Sequence, residues 1–160
     1  MSTIKVDTIQ KVNGSVPKPT DLGLNVSGHV IQTVINTATS TVTTSSSSSQ
    51  ALLSASITPQ FTDSVIHIEG YIARMAITFG DSNAYASFYI LDPSDTALTT
   101  GVLGSSGHSN SSSMSIQATH EPNSTSSQTY EIRLSTASGG TSSTTSDGQR
   151  YTIKLTEIRA

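Results

Sequence analysis

Ser64-Val-Ile-His-Ile-Glu-Gly-Tyr-Ile-Ala-Arg-Met-Ala-Ile-Thr-Phe79 decides the fold. Ile66, Ile68 and Ile72 fall on one side of an extended chain. Val65, His67, Glu69 and Tyr71 fall on the other. The period is two, which a strand satisfies and a helix of 3.6 residues per turn does not. The run is the longest strand candidate in the chain. Gly70 interrupts the apolar side, and a glycine inside a strand pattern predicts a bulge there.

Working outward, the same alternation recurs in shorter pieces. Val30–Ile35 and Ala51–Thr58 precede the long run, and Pro59 closes the second of them. After a turn at Gly80–Asn83, Ala84, Ala86, Phe88 and Ile90 alternate with Tyr85, Tyr89 and Leu91. Asp92-Pro-Ser-Asp95 is turn chemistry. Thr96–Leu103 and Ser113–His120 are weaker strands. Tyr130, Ile132 and Leu134 alternate in the next. In Gln149–Ile158, Tyr151, Ile153, Leu155 and Glu157 share a side. Ser45–Ser49 and the stretch between Gly139 and Gly148 read as surface loops. No convincing helix pattern appears. About eight strands at this spacing predict an all-β fold, an antiparallel β-sandwich of jelly-roll-like type.

Composition agrees. The chain has 160 residues, of which 34% are hydrophobic and only 12% charged. Its 30 serines and 24 threonines fill the gap. Net charge is −3, too small to hold a polar chain open by self-repulsion. Threonine suits a pleated strand through its branched Cβ. The expected body is therefore a thin-cored sandwich with an uncharged polar skin, and such domains often gain stability by association.

Several classes of function are disfavoured. Eight Lys and Arg against eleven Asp and Glu leave no basic patch for nucleic acid. No apolar run is long enough for a membrane span, and no secretory signal pattern opens the chain. There is no cysteine, hence no disulfide and no thiolate metal site. These features predict synthesis and folding in a cytosol, without membrane insertion. His29, His67, His108 and His120 are scattered. His67 and Glu69 share a strand side but supply only two ligands, so a solvated face is favoured over a metal site. Asp81, Asn83, Asp92 and Asp95 offer oxygens for calcium, but capping of their own turns is the commoner use. No nucleophile elbow, phosphate loop or paired carboxylates emerge, so no enzyme, cofactor or metal is expected.

The first 28 residues stand apart. Ile4, Val6 and Ile9 are the apolar positions of an opening strand-like decapeptide. Residues 11–28 form a tether, extended by Pro17 and Pro19. The division expected is an arm over 1–28 and a sandwich over 29–160, with the arm's partner in another chain.

Ser2-Thr-Ile-Lys-Val-Asp-Thr-Ile-Gln10 resembles the start of small tail-fibre and virion structural proteins of phages of marine bacteria and cyanobacteria. Leu53-Ser-Ala-Ser-Ile-Thr-Pro59 with Ser64-Val-Ile-His-Ile68, and Tyr151-Thr-Ile-Lys-Leu-Thr-Glu-Ile158, resemble the same family in the same order. The resemblance implies a non-enzymatic virion component assembled in the host cytoplasm. It implies a homotrimer, with an attachment arm (Ile4, Val6, Ile9) for sister chains or other virion proteins, and a displayed β-sandwich knob. On this reading a short tail fibre contacts a host glycan or protein through polar loops bearing Ser106, His108, Asn110, Asn123 and Thr141. Tyr71, Tyr85 and Tyr89, on the sides opposite the core, are candidates for the trimer interface. Stacking on a sugar is their second reading. A head decoration or capsid fibre of the same fold, and a structural adaptor without a receptor, are the alternatives.

Overall fold

A computed structural model describes residues 27–78, 85–104, 110–137, 141–144 and 150–160. The described residues form ten strands. They are β1 (Val30–Ala38), β2 (Thr43–Thr44), β3 (Gln50–Ile57), β4 (Ser64–Thr78) and β5 (Tyr85–Leu91). Then follow β6 (Ala97–Gly104), β7 (Asn110–His120), β8 (Gln128–Ala137), β9 (Thr141–Thr144) and β10 (Tyr151–Arg159). The eight long strands match the segments read from alternation. The additions are β2 and β9, two short strands that pair with each other; β9 lies inside a stretch expected to be a loop, and β2 directly precedes the expected loop Ser45–Ser49.

One sheet runs β1-β10-β4 with β7 on the far edge of β4, and the other runs β3-β8-β5-β6. All pairings are antiparallel, and five of them are nested: β1 with β10, β2 with β9, β3 with β8, β4 with β7, β5 with β6. A long hairpin rolled so that its two arms stay paired gives this pattern. The sandwich is a jelly roll.

The alternation seen in the sequence is what the fold buries. Ile66, Ile68 and Ile72 of β4 are 0–1% exposed, and they face Phe88, Ile90, Ile132 and Leu134 of the other sheet. Each such side chain contributes on the order of 2 kcal/mol by leaving water.

The bulge in β4 lies at Ala73–Arg74, not at Gly70. Ile72 pairs with Met114 and Met75 with Ser112, so two residues of β4 oppose Ser113 alone. An extra residue reverses the phase of everything beyond it. Met75 and Ile77 thereby stay inward, at 0% and 1% exposure, although they are odd-numbered where Ile72 is even. On the other edge of β4, pairing passes at this point from β10 to β9. Ala73 N donates to Arg150 O at 3.1 Å across the join. Gly70 answers a different need. A Cβ there would lie 3.2 Å from Ile132 Cδ1 and 3.3 Å from Ile116 Cγ1, so its hydrogen lets the two sheets close. Gly101 of β6 is tighter: a Cβ would meet Ile116 Cγ2 at 2.8 Å where β6 and β7 bring the two sheets together.

Candidate functional site

The two ends of the sandwich differ. At one end β1 starts and β10 finishes, and Gly28 N donates to Arg159 O at 2.7 Å. Gly28 has a φ of +81°, which lets the chain turn sharply into β1. The loops 58–63 and 121–127 and the turn 92–96 connect strands at this same end. At the opposite end lie Thr78, Tyr85, Gly104, Asn110, Ala137 and Thr141.

This arrangement separates the candidate contact loops. Asn110 and Thr141 flank the last residues of β4, registered beside Ile77 and Thr78. Asn123, exposed with a φ of +49°, is at the other end, beside the corner where the chain enters. Ile4, Val6, Ile9, Ser106 and His108 lie outside the described residues. The tyrosines divide as well. Tyr71 stands on the outer face of the β4 sheet, 45% exposed, whereas Tyr85 and Tyr89 stand on the outer face of the β5 sheet. No single patch of one subunit unites the three.

The outer face of the β5 sheet carries a groove of about 250 Å³ lined by Ser47, Ser49, Tyr89, Leu91, Asp95 and Ala97. Its parts are fixed from three directions. Tyr89 OH is 3.1 Å from Ser135 Oγ of β8. The serine rim is pinned by Thr136 N donating to Ser46 O at 2.9 Å, and Ser46 N and Ser48 N donate to Thr44 Oγ1 and Ser46 Oγ. The Asp92–Thr96 turn is closed by Asp92 N donating to Thr96 O, while Asp92 Oδ1 accepts from Ser94 N and Thr96 N.

Asp95 is the exceptional residue of that turn, with a φ of +65° that few non-glycine residues adopt. The conformation lays its carboxylate over the sheet, 2.6 Å from Arg133 Nη2. Arg133 Nε also donates to Glu131 Oε2 at 2.8 Å, and this bond is the chief reason its guanidinium holds its proton more tightly than usual. The cluster carries two carboxylates against one guanidinium.

The sequence did not reveal this groove. Tyr89 and Asp95 were each visible, but Arg133 and the serine run reach them only through the β8 pairing. A second recess, lined by Asn36, Ala51, Leu52, Leu53, Ser54 and Glu131, lies where β1 meets β3. There Asn36 Nδ2 donates to Ser54 O at 2.7 Å and stitches the two sheets together.

Most described carboxylates have a structural use. Glu69 accepts from Lys154 Nζ at 2.5 Å. Asp63 pairs with Arg159, and the Arg159 guanidinium sits 4.3 Å above the Phe61 ring. Glu157 is wholly buried and accepts from Gln32, Gln60 and Ser64. No group of three metal-ligating side chains occurs among the described residues.

No family model and no curated protein matches the sequence. Among solved structures, the fold is similar to the infectious bursal disease virus VP2 subviral particle. That likeness has 13% identity, 81% of this chain, 34% of that chain and a TM-score of 0.41. The Gx strain of the same virus gives 14%, 84%, 37% and 0.41. Bacillus endospore appendages, described as disulfide-linked pili, give 11%, 84%, 95% and 0.36. This chain spans about a third of the viral chains it matches. These are likenesses of fold alone.

Proposed function

We propose that the protein is a structural component of a virus particle: a short, trimeric tail fibre or knob. Residues 1–28 attach it to the virion, and the jelly roll meets the host surface without catalysing a reaction. The observation that carries this reading is the corner at Gly28. There Gly28 N donates to Arg159 O, so the chain enters the body at one corner of the sandwich, and the apolar positions Ile4, Val6 and Ile9 of the arm are assigned to another chain. The resemblance of its first ten residues to phage virion proteins points the same way. The uncharged skin of Ser and Thr suits weak contacts multiplied by three copies. The carboxylates committed to ion pairs and capping favour a binding role over hydrolysis.

Light scattering of the full chain and of residues 29–160 tests the proposal. Three copies in both place assembly in the sandwich and leave the arm for attachment. A full chain that stays monomeric at micromolar concentration overturns the trimer. Gold-labelled antibody on intact particles distinguishes a tail from a head position, and absence of label from all particles overturns the virion role.

A further inference from the structure

We infer that the groove over Tyr89 is a binding site for one neutral pyranose unit of a surface glycan. The inference rests on the host-contact reading above and gives that contact a place the polar end loops do not occupy. Three observations converge. Tyr89, Leu91 and Ala97 form a small apolar floor, ringed by the Asp95 carboxylate and the Ser47 and Ser49 hydroxyls. A pyranose has this character, with an apolar face of C–H groups and hydroxyls around its edge, and an aromatic ring with a polar rim complements both. The volume, about 250 Å³, is enough for one sugar ring.

Second, the walls are set before a ligand arrives. Tyr89, the serine rim and the Asp92 turn are each held by bonds to other protein groups. A site that need not be ordered on binding loses less of its affinity. Third, Asp95 occupies a left-handed conformation that Asp92 and Arg133 together maintain. Unusual backbone held in place by its surroundings collects at ligand-binding positions. It leaves Asp95 Oδ2 free of the Arg133 bond and able to accept from a sugar hydroxyl. Charge selects the sugar class. Arg133 is already committed to Asp95 and Glu131, so a sialic acid or sulfated sugar would meet net negative charge.

The test is titration of the ¹⁵N-labelled full chain with the methyl glycosides of glucose, galactose and mannose, and with N-acetylneuraminic acid. At least one neutral glycoside should shift the amide signals of residues 46–49, 89–91 and 95–97, with millimolar affinity. N-acetylneuraminic acid should not. Tyr89→Leu keeps an apolar floor but lacks the ring, and Asp95→Asn keeps a residue that tolerates positive φ. Both should bind at least tenfold more weakly while still giving a cooperative melt. The assignment is overturned if none of the neutral glycosides shifts these amides at tens of millimolar, or if both variants bind as the parent does. Adsorption of the full chain to host cells is measured in parallel. Adsorption that survives Tyr89→Leu and Asp95→Asn discards the groove and keeps the host-contact reading, whereas no adsorption by the parent discards that reading itself.

Discussion

Ser64 Oγ lies 2.6 Å from Glu157 Oε1 inside the sandwich, and Glu157 has no exposed surface. Gln60 N donates to the same oxygen at 2.7 Å and Gln32 Nε2 to the other at 2.6 Å. One carboxylate thus ties β1, the loop before β4, β4 itself and β10. Glu157→Gln is isosteric but turns one acceptor into a donor that faces the amide of Gln32. The variant should lose roughly 2–3 kcal/mol, the scale of a buried bond to a charged group broken on one side. Urea denaturation measures it, and a midpoint equal to the parent's would show that the three bonds add nothing.

Gly101→Ala should destabilise by roughly 1–3 kcal/mol through overpacking. The new methyl meets Cγ2 of Ile116, a branched atom close to the backbone that cannot swing aside as a side-chain tip would. Ile116→Val does not remove Cγ2 and should not rescue it, whereas Ile116→Ala should recover part of the loss. Thermal melts of the three variants check the order.

Alkaline pH should unfold the protein partly through Tyr130. Burial, and then the charge of Asp92, raise its pKa well above the usual 10. Its hydroxyl lies 2.9 Å from His120 Nδ1. The folded state therefore keeps a proton that the unfolded chain releases near pH 10. The stabilising contribution is complete below pH 10 and declines as pH rises beyond it, by up to about 1.4 kcal/mol per pH unit. Tyr130→Phe should show a shallower fall in stability from pH 10 to 12, read from denaturation midpoints in steps of pH.

Removing one residue of the β4 bulge should leave the core intact. Deletion of Ala73 would place Arg74 alone opposite Ser113, so that Ile72, Met75 and Ile77 alternate in one unbroken phase and all stay inward. The expected result is a chain that still gives a cooperative melt. Loss of that melt would mean that the bulge itself is required where pairing on the other edge of β4 passes from β10 to β9.

The long strands were legible because their signal is local. Ile66, Ile68 and Ile72, or Tyr130, Ile132 and Leu134, declare a face within five residues, and the count of strands then suggests a jelly roll. The position of the bulge was not legible. Gly70 and the Ala73–Arg74 pair both break the pattern, and only the partner strands show which break adds a residue. Glu157 was placed on the core side of its strand by alternation. Its partners at positions 32, 60 and 64 are about a hundred residues away in sequence. The groove over Tyr89 escaped for the same reason, since Ser47, Asp95 and Arg133 share no motif and meet only through pairing of β5 with β8.

The nested pairing of β1 with β10 fixes how the body can be handled. Residue 28 and residue 159 are hydrogen-bonded neighbours at one corner. A passenger fused ahead of residue 27 and one fused after residue 160 would leave from nearly the same point. Either would hang the sandwich in the same orientation, with the strand ends at Thr78, Gly104 and Ala137 turned away from the support. A scaffold of this kind can be anchored through either end while the opposite rim stays available for grafted loops.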